Sequence, residues 1–198
     1  VSITIFLGTP DRIVAACDSR ARDGSTYHDG VKKIDIDKDT IFGATGIGAI
    51  PMAAWKNTSA VPGESAESRA LRLVSTMQSS LVAGPYPTTF VYGVCGFRDG
   101  QPDAYVVKAG VEPGTTRVAI AQQGSMGAPF ALVLGWDDQG DKAALVQRDI
   151  LPTLHRNPTE AEMTTLARNL VARAAAQSPK VGGATHVAVL DAGGPRWI

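Results

Sequence analysis

Two periodicities follow one another along this chain in blocks, and their order restricts the fold more than any other feature. Side chains alternate with a period of two over residues 2–8, 12–18, 31–36 and 40–45, which predicts strands before any helix. A helical pattern then runs over 66–83, with Ala70, Leu73, Met77 and Leu81 on one face. The runs TTFVYGVCGF, DAYVVKAG and TRVAIAQQG read as further strands, the first two joined by a turn at RDGQP. A helix is expected near 125–134, the segment 142–155 fits either type, and a clear helix is expected over 159–177. Thr159 and Glu162 fit a capping box at its start, with Met163, Leu166, Leu170 and Ala174 as its apolar face. THVAVLD and RWI close the chain as strands. Strands and helices gathered in blocks predict an α+β domain of antiparallel sheets covered by helices, rather than alternating βαβ units.

At 198 residues and 44% hydrophobic, the chain is long enough to bury a large core without disulfides or metals, and residues 1–198 are read as a single domain. Basic and acidic residues balance at 19 each, which argues against nucleic acid or an anionic membrane as a partner. No leader of the signal-peptide type and no bilayer-length apolar run is present, so a cytoplasmic protein is expected. Cys17 and Cys95 each sit in an apolar run and read as buried small hydrophobes in a reducing compartment. His28, His155 and His186 are scattered, without the ligand spacing of a zinc site, so neither a metal nor a cofactor is expected. Gly43, Gly46 and Gly48 in FGATGIGAI lack the βαβ context of a dinucleotide loop, and GSMGAPF lacks the Gly-Lys-Ser/Thr ending of a phosphate loop.

The turn GTPDR brings the first chemistry together. A hairpin folded symmetrically about Pro10 pairs Thr4 with Ala16 and Phe6 with Val14, and sets Ser2 opposite Asp18. Directly opposed side chains on one face are close enough to share a site, whereas a one-residue slip moves one of them to the other face. In VKKIDIDKDTIFGAT, alternation sends Ile34 and Ile36 one way and Lys33, Asp35 and Asp37 the other. Lys33 is then either a solvated surface lysine or a cation beside Asp18.

RIVAACDSRARDG, followed by GVKKIDID and FGATGIGA, resembles the opening of proteasome β-type subunits and bacterial HslV peptidases, threonine peptidases of the N-terminal nucleophile class. GSMGAPFA resembles a later Gly-Ser-Gly segment of that family, and VGGATHVAVLD its closing strand, so the similarity covers much of the chain. The resemblance implies a four-layer α-β-β-α sandwich and a peptidase acting through an acyl-enzyme. It also implies stacked homo-oligomeric rings, a peptide or unfolded protein as substrate, and an ATP-driven unfoldase as a feeding partner. A non-proteolytic amidase of the same nucleophile class and a catalytically silent proteasome-fold scaffold are the alternatives.

In that family the nucleophile heads the mature chain, and counting back from the aspartate that matches Asp18 lands on Ser2, so Val1 is expected to be absent from the mature enzyme. The α-amine of a leading Ser2, with an ordinary pKa of roughly 7.7–8.0, can then take the hydroxyl proton near neutral pH. The resemblance makes Lys33 the cation that favours the deprotonated hydroxyl, Asp18 the carboxylate that orients Lys33, and Ser125 a supporting serine. Ile47 matches the backbone oxyanion donor. Thr45 and Ala49 match positions lining the substrate pocket, and Arg20 and Gly48 fall among the substrate-binding positions. This chain departs from the family pattern by serine for threonine at 2, a side chain at Ile47, an inserted Met126, and Ser178 in place of a supporting aspartate.

Overall fold

The computed structural model describes residues 2–23, 25–46, 49–80, 88–112, 115–124, 127–136 and 142–198. It is a mixed α and β structure built on two five-stranded antiparallel sheets and one small hairpin. The first half comprises β1 (Ile3–Thr9), β2 (Arg12–Asp18), β3 (Ala21–Asp23), β4 (Thr26–His28), β5 (Ile34–Asp37) and β6 (Thr40–Gly46), then α1 (Ala49–Asn57) and α2 (Ala66–Ser80). The second half comprises β7 (Thr88–Arg98), β8 (Gln101–Glu112), β9 (Thr115–Gly124) and β10 (Phe130–Gly135), then α3 (Lys142–Leu145), a π-helical turn (Val146–Ile150), α4 (Leu151–Leu154), α5 (Glu160–Gln177), β11 (Thr185–Asp191) and β12 (Gly194–Trp197). One sheet has the order β10-β1-β2-β11-β12 and the other β5-β6-β7-β8-β9, while β3 and β4 pair with each other.

β1 is buried along its whole length because both of its faces are covered. Ile3, Ile5 and Leu7 join Val14, Ala16, Ile150, Leu154, Met163 and Leu170 in one cluster, which packs the first sheet against α4 and α5. Phe6 looks the other way, into a cluster with Cys17, Ile34, Ile41, Cys95 and Leu132 drawn from both sheets. A third cluster, around Phe42, Trp55, Leu73, Tyr92 and Val107, packs α1 and α2 on the second sheet. Both cysteines are free and buried, and burial pushes the Cys17 thiol up to about 11.

Glycine lets the two sheets approach where Phe6 lies between them. A Cβ on Gly43 would fall 2.6 Å from Thr4 Cγ2 and 2.8 Å from Phe6 Cζ, and one on Gly93 would fall 2.8 Å from Phe6 Cε2. Gly43→Ala is therefore expected to destabilise the fold by about 1–3 kcal/mol through overpacking. Urea unfolding checks this as a lower midpoint at unchanged slope; an unshifted midpoint removes the close approach as a constraint.

The expected capping box is present at α5, where the Glu162 N–H donates to Thr159 Oγ1 at 3.3 Å and the Thr159 N–H donates to Glu162 Oε2 at 2.7 Å. Other expectations need correction. The predicted helix at 125–134 is instead strand β10 over Phe130–Gly135, which pairs antiparallel with β1. Its Phe130, Leu132 and Leu134 point into the inter-sheet cluster, and a six-residue apolar run fits either periodicity until its neighbour is known. The ambiguous 142–155 segment is helical over 142–154, and α1 arises over Ala49–Asn57, where no element is expected from the sequence.

The first hairpin has a different register from the expected one. Thr4 pairs with Cys17 and Phe6 with Ala15, which sets Ile3 rather than Ser2 opposite Asp18. The turn holds two residues, Pro10 and Asp11, between the closing pair Thr9 and Arg12, so its centre falls between them and not on Pro10. Among the described residues no helix is long and apolar enough to cross a membrane.

Candidate active site

Asp18 ends β2 with its side chain fully enclosed. Its carboxylate collects N–H donors from four parts of the chain. Oδ1 accepts from the Ile3 backbone N–H at 3.0 Å and from Lys33 Nζ at 2.6 Å. Oδ2 accepts from the backbone N–H groups of Arg20 and Gly182, each at 3.2 Å. These four donors take the lone-pair directions that water would otherwise fill, so the buried carboxylate is fully hydrogen-bonded.

Lys33 lies in the segment before β5 and is 7% exposed, so it is the cation beside Asp18 and not a surface lysine. A second Nζ proton goes to the Arg20 carbonyl. Its own carbonyl accepts the Ala44 N–H at 2.9 Å, which fastens the segment to β6. Burial holds the Lys33 pKa below the ordinary lysine value, against the opposing hydrogen bond and charge of Asp18.

The hairpin shift changes how Ser2 meets this pair. Asp18 reaches the N–H of the Ser2–Ile3 peptide, so the Lys33 ammonium and that peptide share one carboxylate oxygen. Strand alternation places Ser2 on the inter-sheet side with Thr4 and Phe6, and the residue is 7% exposed. Its carbonyl accepts the Trp136 N–H at 3.0 Å. Gly135 packs against that carbonyl, and a Cβ placed there would also fall 3.2 Å from Thr45 Cγ2, which brings buried Thr45 beside Ser2.

The remaining expected residues are placed less directly. The Arg20 guanidinium binds Asp29 at 2.9 and 3.2 Å and the Pro179 carbonyl at 3.0 Å, so its backbone, not its charge, enters the Asp18–Lys33 cluster. Ala49 opens α1. Val1, Ile47, Gly48 and Ser125 lie outside the described residues. Ser178 caps α5 at its C-terminal end; its Oγ accepts the Lys180 N–H and its carbonyl the Val181 N–H, shaping the turn that delivers Gly182 to Asp18.

Several contributors were not legible as site residues. The N–H groups of Ile3, Arg20, Gly182 and Trp136 are backbone donors, which any residue but proline supplies. Ser19 ties the parts together: its N–H donates to the Gly182 carbonyl, its carbonyl accepts from Val31, and its Oγ accepts from Gly30. Gly183, at φ +74°, leaves room for that hydroxyl where a Cβ would come within 2.3 Å. His186 pairs across β11 and β2 with Cys17, next to Asp18. Its Nε2 is buried with no hydrogen-bond partner among the described residues. Burial and the charges of Lys32 and Lys33 hold the imidazole below its usual pKa.

The arrangement supplies a buried ion pair, a lysine of lowered pKa, and a hydroxyl-bearing residue whose backbone is held at both ends of one peptide unit. Among the described residues no group of three His, Cys, Asp or Glu side chains is placed to hold a metal ion. No family model matches the chain, and no curated protein matches it.

Proposed function

We propose that this chain is a proteasome-like peptidase that cleaves peptide bonds through the hydroxyl of Ser2, once loss of Val1 makes Ser2 the leading residue. The observation that carries the reading is the Asp18–Lys33 pair, buried and joined through one carboxylate oxygen to the Ser2–Ile3 peptide. The proposed fold is the four-layer α-β-β-α sandwich; its support is three separate apolar clusters, one shared by the two sheets and one between each sheet and its helices.

In this reading the Ser2 amine takes the proton of Ser2 Oγ as the oxygen attacks the substrate carbonyl. The tetrahedral intermediate collapses to an ester on Ser2, and the departing amine leaves with that proton. Water then hydrolyses the ester, with the same amine as base. The Lys33 ammonium stabilises negative charge on Oγ, and Asp18 fixes where the ammonium sits. Attached Val1 would turn the amine into an amide and remove the base. Assembly into stacked rings, with substrate fed by an ATP-driven unfoldase, belongs to the same proposal.

Intact-mass analysis and a peptide epoxyketone, which bonds to both the amine and the hydroxyl of a leading residue, test the reading. Ser2 is expected as the first residue, with one adduct on the wild type and none on Ser2→Ala. An intact Val1, or an equal adduct on Ser2→Ala, overturns it. A free Ser2 that takes no adduct favours the silent scaffold.

A further inference from the structure

Resting on the peptidase reading, we propose that Gly135 and Trp136 are positioning residues for Ser2: they clamp its carbonyl and so fix the Cα from which its hydroxyl swings. Threonine carries a methyl group that restricts χ1, whereas serine rotates freely about the same bond. With χ1 of Ser2 open, the placement of its Cα is what the surrounding backbone can set.

The end of β10 does this. The Trp136 N–H donates to the Ser2 carbonyl at 3.0 Å. Asp18 Oδ1 accepts the N–H at the other side of the same peptide unit, from Ile3, at 3.0 Å. Peptide units are planar, so fixing both polar groups fixes the plane and the Ser2 Cα with it. Rotations about Cα–C and Cα–Cβ are all that remain.

Reaching this geometry takes an unusual backbone. Gly135 and Trp136 are consecutive residues in the left-handed region, at φ +75° and +52°. A bulky residue adopts that conformation only where its surroundings impose it. Trp136 is held by burial in the helix-side cluster, with the Arg173 guanidinium 6.0 Å from its ring centroid, and the Gly135 carbonyl accepts from Lys142 Nζ. Gly135 has no room for a side chain: a Cβ would lie 1.8 Å from the Ser2 carbonyl oxygen and 2.9 Å from its carbon. Both atoms are backbone, so no rotamer change relieves the clash, and Ser2 itself must move.

The test measures second-order epoxyketone labelling of Ser2 in the wild type and Gly135→Ala. Gly135→Ala is expected to slow labelling at least tenfold. Hydrogen exchange separates the clamp from general loosening: in Gly135→Ala the Trp136 amide is expected to lose at least tenfold protection while the Phe6 and Leu7 amides of β1 stay within twofold of wild type. General loosening of the fold predicts an equal loss at all three amides, and that result overturns the clamp. So does labelling of Gly135→Ala within twofold of wild type. If Gly135→Ala does not fold, hydrogen exchange of the wild-type Trp136 amide decides: at least hundredfold protection is expected, and an unprotected amide overturns the proposal. An unlabelled wild type overturns the peptidase reading and this inference with it, whereas a labelled wild type with an unslowed Gly135→Ala overturns the clamp alone.

Discussion

Lys33→Met is expected to lower the rate of Ser2 labelling by about a thousandfold, at the upper end of the effects seen when a preorganised charge-stabilising group is lost. The fold should survive. Methionine fills much of the space of the lysine stem, and Asp18 keeps the N–H groups of Ile3, Arg20 and Gly182 after the ammonium is gone. Stopped-time mass spectrometry of the adduct gives the rate and far-UV circular dichroism the fold; an unchanged rate removes Lys33 from the mechanism. The variant should also change how stability responds to alkali. Because burial lowers the Lys33 pKa in the fold, the unfolded chain binds this proton more tightly, so stability rises with pH between the folded value and the ordinary lysine value. It falls as pH drops back through that window, and Lys33→Met loses that contribution.

Asp18→Ala is expected to cost about 3–5 kcal/mol of stability, because it strands a buried ammonium together with buried N–H donors. The effect should depend on Lys33. Combining Asp18→Ala with Lys33→Met removes both charges, and the double variant is expected to unfold at a higher denaturant concentration than Asp18→Ala alone. Additive losses would mean that the pair is not a coupled unit. A loss below about 1 kcal/mol for the single variant would place the pair in a far wetter setting than its geometry indicates.

How much of this could be read from the sequence differs by element. Strands β1, β2, β7 and β8 and helices α2 and α5 were legible because their periodicities run long enough to separate a period of two from one of 3.6. The β10 run was misread because six residues cannot separate the two, and α1 was passed over with Pro51 in its first turn, where proline is tolerated. The candidate site was legible where it depends on side-chain type: the Asp18–Lys33 pairing is present, with the peptide after Ser2 on the same carboxylate. The inference from register was sound in kind and off by one residue: a turn centred on a bond gives a different partner from one centred on Pro10. Fold-level contacts still bring Asp18 to Ser2, through the neighbouring peptide N–H, which no sequence pattern announces.

The donors on Asp18 also set a condition on when the proposed activity could begin. Gly182 stands 164 positions after Asp18 and Ile3 stands 15 before it, so one carboxylate joins β1 to the segment that precedes β11. Contacts of such long sequence separation form late, after the loops between them have closed. A nascent or half-folded copy without the Gly182 segment cannot complete the set, and the proposed nucleophile would stay unarmed. For an enzyme proposed to cut polypeptides, this is an interlock on timing: the ability to digest other chains waits until its own chain has finished folding.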